Sequence, residues 1–363
     1  MNETDALVAL THTQFLGSIR VRLLVKYFGS ALAVLEADSR EIESLPGFGE
    51  KLSRSLSKCI EGSEWRRDIE LANRYSTAII PFYDPRYPRL LLEIPDFPPV
   101  LYVKGTLQAG DKQGIAVVGT RNAGIYGMEM AERLSHDLAS LSFTVVSGLA
   151  RGVDTAVHCG ALQTGRTLAV LGSGIANIYP SENRGLAERI ASQGAVMSEL
   201  PMTALPDRRH FPRRNRLVSG MTMGTVLIEA PEKSGAMITM ERAYGQGRKL
   251  FVLPGRADNP NFRGNHSLIK KGFAKLVENA RDIADSFQDL FGFSTEVIER
   301  KRQGLPLESE EKNLLAKMPD EELTVEELIR VTNTPIVRLN VLLMSLVLKK
   351  WLKEFPGKIY KKI

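Results

Sequence analysis

Short apolar runs recur through the central part of the chain, and each lacks the polar alternation of a half-exposed strand. The runs are GIAVVG, TVVSG, TLAVLG, AVMSE, TVLIEA, KLFVLP and AKLVE, all between positions 114 and 278. Such runs are typical of strands buried on both faces. Most intervening segments are long enough for a helix, so the pattern predicts an α/β fold: an extended Rossmann-like, doubly wound, mostly parallel sheet over residues 111–290.

The pattern differs on the N-terminal side of this domain. Residues 1–62 look helical, and a Pro46–Gly47–Phe48–Gly49 turn separates two apolar-periodic pieces. This predicts a helix-hairpin-helix-like (SAM-like) domain, whose turn either holds a DNA phosphate through its amides or serves only for packing. Residues 63–110 contain a run with six prolines, which disfavour long helices and central strands, so we expect a connecting segment that packs on the core.

The C-terminal side also departs from the strand pattern. Residues 291–306 are interpreted as a linker, and residues 307–363 as three helices near 308–317, 324–330 and 335–348 with a basic ending. This order predicts a winged-helix-like domain. DNA contact and partner packing are equally compatible with it.

Charge is concentrated in two segments. The chain of 363 residues has a net charge of +6, while DRRHFPRRNR (207–216) and KKWLKEFPGKIYKK (349–362) carry +4 and +5 by residue count. The remainder is therefore net negative, a distribution expected of a polyanion-binding protein. No run approaches the roughly 20 apolar residues of a membrane span. With only Cys59 and Cys159, both expected to be reduced, and no basic leader, we expect a cytoplasmic protein without membrane association.

The turn after the first predicted strand of this domain is a candidate phosphate site. It contains Gly119, Thr120 and Arg121, at a strand-to-helix turn where backbone amides and the helix dipole favour an anion. The glycines do not spell G-x-G-x-x-G, and no acidic residue ends the second strand, so no dinucleotide cofactor is expected. Arg121 is interpreted as a phosphate ligand, with pairing to a carboxylate as the alternative. The next turn carries Arg151.

The arginine segment indicates single-stranded DNA. An aromatic ring among arginines lets an unpaired base stack while guanidinium groups pair with phosphates. The candidates are Arg208, Phe211, Arg213, Arg214, Asn215 and Arg216. Once a helix starts, the arginines project in different directions, so not all of them can face one ligand. The alternative is that Phe211 belongs to the core and the arginines form salt bridges.

Signals for catalysis are weak. The five histidines lack metal-ligand spacing, no Gly-x-Ser-x-Gly elbow occurs, and neither a metal nor an enzymatic activity is expected. The stretch GTVLIEA, with Glu229, loosely resembles the motif of nucleoside monophosphate phosphoribohydrolases. Such a hydrolase is the alternative function.

Taken together, the motifs resemble the DNA-processing protein A family, also called DprA or Smf. The matching pieces are VGTRNAGIYG, SGLARGVDTAVHCGAL, TLAVLGSGIANIYPSEN, SELPMTALPDRRHFPRRNRLVSG, VLIEAPEKSGAMIT, GRKLFVLPGR and GNHSLIKKG. Thr120 and Gly124 depart from the serines usual in the family, which puts hydroxyl contacts in doubt. The resemblance implies a homodimer that binds single-stranded DNA through Arg121, Phe211 and the neighbouring arginines. It also implies loading of the RecA recombinase during natural transformation.

Overall fold

The computed structural model describes residues 1–287, 307–349, 351–355 and 357–362. The chain divides into two compact units, Met1–Phe287 and Gln288–Ile363. The segment 291–306, predicted as a linker, lies outside the described residues.

Six helices form the N-terminal part of the first unit. They are α1 (Glu3–His12), α2 (Ser18–Phe28), α3 (Ala31–Glu36), α4 (Ser39–Ser44), α5 (Glu50–Glu61) and α6 (Glu64–Arg74). Helix α1 begins with a capping box between Asn2 and Asp5, and its run Ala6–Leu10 is almost fully buried. The turn between α4 and α5 contains Gly47 with a φ of +84°, a left-handed conformation that glycine adopts without strain. Its interpretation as a DNA-binding hairpin stays a prediction.

A nine-stranded sheet forms the centre of the first unit. Its strands are β1 (Thr77–Pro81), β2 (Val100–Gly105), β3 (Gly114–Val118), β4 (Thr144–Ser147), β5 (Thr167–Val170), β6 (Ala195–Ser198), β7 (Gly224–Leu227), β8 (Lys249–Val252) and β9 (Lys275–Leu276). Their order is β1-β2-β6-β5-β4-β3-β7-β8-β9, and the seven strands from β6 to β9 are parallel. All seven apolar runs predicted as strands are in this sheet, which confirms the large, mostly parallel sheet.

The proline-rich segment adds two strands to the sheet edge. Strand β1 pairs antiparallel with β2, and β2 pairs antiparallel with β6. The prolines at 81 and 98–99 lie at strand ends or between strands, where a missing amide donor interrupts no ladder. The segment therefore extends the sheet as well as connecting the helices to it.

Helices cover both faces of the sheet. They are α7 (Ile125–Ser140), α8 (Val153–Thr164), α9 (Arg184–Gln193), α10 (His210–Gly220), α11 (Gly235–Gly245), α12 (Arg263–Lys270) and α13 (Ala280–Ala284). One apolar core joins the N-terminal helices to β2, β5 and β6, and a second lies under α10 and α11. The buried carboxylate of Asp68 on α6 accepts hydrogen bonds from Tyr102 on β2 (2.5 Å) and from the Met202 amide (2.7 Å), which ties the helices to the sheet.

The second unit contains three helices, Ser309–Lys317, Val325–Thr332 and Ile336–Leu348, close to the three predicted positions. A three-stranded antiparallel sheet accompanies them, in the order β10 (Leu323–Thr324), β12 (Ile359–Lys362), β11 (Leu352–Phe355). The winged-helix interpretation stays a prediction. Among the helices that the structure describes, none has the length and apolar character needed to cross a bilayer.

Candidate nucleic-acid interface

The strand order reverses between β3 and β7, and a side chain of the protein occupies the crevice there. In open α/β sheets, ligands usually bind at such a reversal, beyond the carboxyl ends of the strands. Here Glu229, 1% exposed, accepts hydrogen bonds from the Gly124 amide (3.1 and 3.2 Å to its two oxygens) and from Asn261 Nδ2 (2.8 Å). A Cβ at Gly127 would overlap this carboxylate. The N-terminus of α7 therefore already has an internal anion.

This arrangement does not favour the hydrolase alternative. A general base or nucleophile has to face a substrate, whereas both oxygens of Glu229 are held by groups of the protein itself. The carboxylate neutralises the helix terminus instead, as an acidic cap does.

Arg121, Tyr179 and Phe211 form a group at the next strand ends, which we call the Arg–Tyr–Phe cluster; Arg121 and Tyr179 are exposed and Phe211 is half-buried. The guanidinium carbon of Arg121 lies 5.1 Å from the centroid of the Phe211 ring, within the range of a cation–π contact. The Tyr179 ring is 5.8 Å from the Phe211 ring at an angle of 52°. Phe211 rests on Gly172, where a Cβ would come within 2.7 Å of the ring. Three chain segments thus present two rings and one cation together.

Tyr179 is absent from the candidates that the sequence analysis selected. It is 39% exposed and follows the loop after β5, whose small residues the family resemblance includes. An aromatic residue beside a strand-end turn was the available signal. What the sequence could not show is that this loop and the start of α10 meet.

Arg214 points inward from α10. Its Nη1 donates to the carbonyl oxygens of Gly148 (2.6 Å) and Val170, and its Nε donates to Asn215 Oδ1 (3.2 Å). A Cβ at Gly148 would overlap the guanidinium group, so a glycine is required there. Arg214 therefore clamps the loop after β4 to the end of β5, beneath the exposed cluster.

The surroundings of Arg214 contain two further buried titratable groups. Burial lowers the pKa of Arg214 to about 10, against the opposing effect of Asp154, so the guanidinium remains charged at neutral pH. Burial raises the pKa of Asp154, while Arg214 and the amides of Gly148 and Ala150 favour its charged form. Burial and the Arg214 charge together lower the pKa of His158 to about 3, so this imidazole is neutral.

Arg216 also points away from solvent. It is 5% exposed, and its Nη2 and Nε pair with Glu199 (2.5 Å) and Asp96 (3.0 Å). Asn215 is half-buried and donates to the Gly235 carbonyl oxygen (3.2 Å). Arg216 thus forms the salt bridges weighed as the alternative in the sequence analysis, whereas Arg214 is buried but donates to carbonyl oxygens.

The remaining candidates lie at or near the surface. Arg151 is exposed and pairs with Glu182 (2.5 Å), whereas Arg208 and Arg213 are exposed and pair with no carboxylate among the described residues. Gly119 allows α8 to approach, because a Cβ would collide with Val153. The Thr120 amide donates to the Glu229 carbonyl oxygen (2.8 Å). These two residues shape the turn that presents Arg121.

Residues 78–288 match the family model of DNA recombination-mediator protein A. The chain belongs to this family. Protein Smf of Escherichia coli is 36% identical over 286 residues, which are 77% of this chain and 76% of that protein. The family therefore accounts for more than half of the sequence, including the whole Arg–Tyr–Phe cluster.

Two solved structures of relatives resemble the fold. DNA processing protein A from Streptococcus pneumoniae has a TM-score of 0.65 at 31% identity, over 78% of this chain and 98% of that one. DNA processing protein A from Helicobacter pylori, whose structure concerns its single-stranded DNA binding mode, has a TM-score of 0.53 at 27% identity. That match covers 59% of this chain and 98% of the other.

Proposed function

We propose that this chain binds single-stranded DNA through the Arg–Tyr–Phe cluster and acts as a recombination mediator. The observation that carries the proposal is the placement of the Arg121 guanidinium over the Phe211 ring with the Tyr179 ring beside it. Arg121 has no ion-pair partner within the part of the chain that the structure describes, so its hydrogen-bond donors are available for a phosphate.

The chemistry of the cluster fits an unpaired strand better than a duplex. A base can stack on an aromatic side chain only when its face is not already covered by a neighbouring base, and such stacking contributes about 1–3 kcal/mol per base. Arg208 and Arg213, which flank Phe211 in the sequence, add positive charge for the DNA backbone. Arg151 contributes as well when a phosphate displaces the exposed Glu182 carboxylate.

The buried members of the arginine segment support the site indirectly. Arg214 fixes the strand-end loops, Asn215 is tied to the start of α11, and Arg216 is tied to two carboxylates. We assign these three residues a positioning role and assign direct contact to Arg121, Arg151, Arg208, Phe211 and Arg213, with Gly119 and Thr120 shaping the first turn.

The relatives support the DNA-binding and recombination parts of the proposal. The family is described as DNA recombination-mediator proteins, and the H. pylori relative has a single-stranded DNA binding mode. We further propose that this chain protects incoming strands in the cytoplasm, as a homodimer, and passes them to a RecA-type recombinase during transformation. Strand-exchange assays with the recombinase test that step separately from DNA binding.

Binding of a labelled oligo(dT) by fluorescence anisotropy tests the cluster. Phe211→Leu keeps an apolar side chain on Gly172 but removes the ring, and we expect the affinity to fall roughly five- to 160-fold, the equivalent of about 1–3 kcal/mol. Arg121→Ala should weaken binding and reduce the slope of log affinity against log salt by about one.

The matched control is Arg281→Ala, which removes an exposed arginine on α13 next to the edge strand β9. It should leave affinity unchanged. Equal affinity of wild type, Phe211→Leu and Arg121→Ala would remove the basis of the proposal. Preference for duplex competitor over oligo(dT) would do the same.

A further inference from the structure

A basic cavity, distinct from the Arg–Tyr–Phe cluster, lies within the first unit, between the N-terminal helices and the α/β core. Its volume is about 340 Å³. Four arginines line it, Arg20 from α2, Arg213 and Arg216 from α10, and Arg242 from α11, together with Asp96, Phe15 and the first residues of α2. These arginines lie far apart in the sequence, so only the folded chain brings them together.

The charge in this cavity is not balanced. Arg216 is compensated by Asp96 and Glu199, but Arg20, Arg213 and Arg242 pair with no carboxylate among the described residues. Arg20 donates through Nη1 to the Phe15 carbonyl oxygen (3.1 Å), which holds its guanidinium at the rim. Lys51 Nζ lies 4.3 Å from the Phe15 ring centroid and adds a further positive charge. Asp96 is the carboxylate that an incoming anion would meet.

Helix α2 directs its N-terminus toward the same cavity. The helix has 11 residues, its N-cap is Gly17 without a side-chain capping hydrogen bond, and its first turn has no acidic residue. The first amides of the helix therefore lack a side-chain acceptor, and the helix dipole adds positive potential. Gly17, Ser18 and Ile19 all line the cavity.

A buried donor in the lining also lacks an acceptor. Arg216 is only 5% exposed, and its Nη1 has no hydrogen-bond partner among the residues that the structure describes. An unsatisfied buried donor costs free energy, more so when it is charged. An anion in the cavity would supply the missing acceptor after a small side-chain adjustment.

We propose that this cavity binds a phosphate group of the same DNA strand that stacks on the Arg–Tyr–Phe cluster. The inference rests on the proposed function. Arg213 follows Phe211 by two residues on α10, a rotation of about 200° around the helix axis, so the two groups lie on different sides of that helix. A strand leaving Phe211 passes the N-terminal end of α10 and places a later phosphate between α10 and α2. The N-terminal helices thereby become part of the DNA path.

The test uses the full chain with the double variant Arg20→Ala/Arg242→Ala, which leaves the Arg–Tyr–Phe cluster intact. Oligo(dT) of about 4 to 20 nucleotides is titrated by anisotropy. We expect wild type and variant to bind the shortest oligomers alike. The long oligomers should bind about five- to tenfold more weakly to the variant, with a smaller salt slope. The control Arg281→Ala should behave as wild type at every length.

Free phosphate provides the second arm. Inorganic phosphate and thymidine monophosphate are titrated by calorimetry into wild type and the double variant. If long oligomers bind equally to both proteins, the inference is overturned, and loss of binding in Phe211→Leu alone would leave the proposed function standing. The assignment to DNA is also overturned if the free phosphates bind to wild type but not to the double variant while both proteins bind the oligomers equally. The cavity would then be a site for free nucleotides.

Discussion

At the scale of single residues, burial decides what each arginine of the segment 207–216 can do. Arg214 donates to carbonyl oxygens of the protein and Arg216 pairs with carboxylates through Nε and Nη2, whereas Arg213, one position before Arg214, is exposed. Arg209 is exposed too but pairs with Asp207. Positive charge in a sequence therefore overstates the charge available to a ligand, because part of it is used to hold loops in place.

His158 makes the interior around Arg214 sensitive to acid. The lowered pKa of about 3 compares with 6.5 for an ordinary histidine, so between these values the unfolded chain binds a proton that the folded chain excludes. Stability contributed by the neutral imidazole is present above pH 6.5 and declines as the pH falls toward 3. At about pH 5 the loss amounts to roughly 2 kcal/mol.

Urea unfolding at about pH 7.5 and pH 5 measures this loss, and His158→Asn should reduce it. His136→Gln, which replaces a more exposed histidine beside Asp137, should retain the wild-type difference between the two pH values. If the loss of stability between the two pH values is the same in wild type and His158→Asn, this histidine does not cause the pH dependence of stability.

At the scale of elements, the turn after β7 explains why the N-terminus of α7 is not open to an external ligand. Glu229, just after β7, fills the position that a phosphate takes in nucleotide-binding Rossmann folds, and Gly127 leaves room for it. The exposed ligand groups then come from the loops after β3 and β5 and from the start of α10. DNA is therefore expected to cross the rim of the sheet outside the crevice.

Glu229→Gln tests this internal role. The amide keeps one acceptor but turns an NH₂ group toward donors, so we expect the free energy of unfolding to fall by about 1–3 kcal/mol while affinity for oligo(dT) stays within about twofold. Urea unfolding and anisotropy provide the two readouts. Glu129→Gln, an exposed change on α7, is the matched control. Release of free base from nucleoside monophosphates by wild type but not by Glu229→Gln would revive the hydrolase.

How much of the fold could be predicted from the sequence depends on whether the residues that determine each element lie close together in the chain. The seven parallel strands are continuous apolar runs, which need no knowledge of the partner strand. Strands β1 and β2 were not predicted because the prolines around them disfavour central strands, whereas the structure places Pro81 at the end of β1 and Pro98 and Pro99 before β2.

The candidate site was predictable to a similar extent. Arg121 and Phe211 were selected from local motifs, and the structure places them together. The inward direction of Arg214 depends on which side of α10 meets the sheet. The contact of Tyr179 with Phe211, and the meeting of Arg20 with Arg213 and Arg242 around the cavity, depend on segments more than 30 residues apart. Those contacts are products of tertiary structure.

At the scale of the whole molecule, the two basic segments differ in how much charge they offer. In the second unit, Lys349 pairs with the buried Glu311, Lys361 with Glu322 and Lys362 with Asp320. The helix Ile336–Leu348 exposes apolar side chains, among them Val337 and Met344, and its exposed Arg338 pairs with Glu310. Carboxylates therefore compensate these three lysines and Arg338, whereas Lys353 and Lys358 are exposed and pair with no carboxylate among the described residues.

Replacing the paired lysines provides the corresponding prediction. In the full chain, Lys361→Ala/Lys362→Ala removes as much formal charge as Arg20→Ala/Arg242→Ala, so net charge is matched between the two double variants. If binding depends on local unpaired cations, the lysine variant should keep its affinity for oligo(dT) within about twofold and keep its salt slope. A slope reduced by about one or more would mean that DNA displaces Glu322 and Asp320 from these lysines. The second unit would then be part of the DNA-binding surface, and total charge rather than its placement would govern affinity.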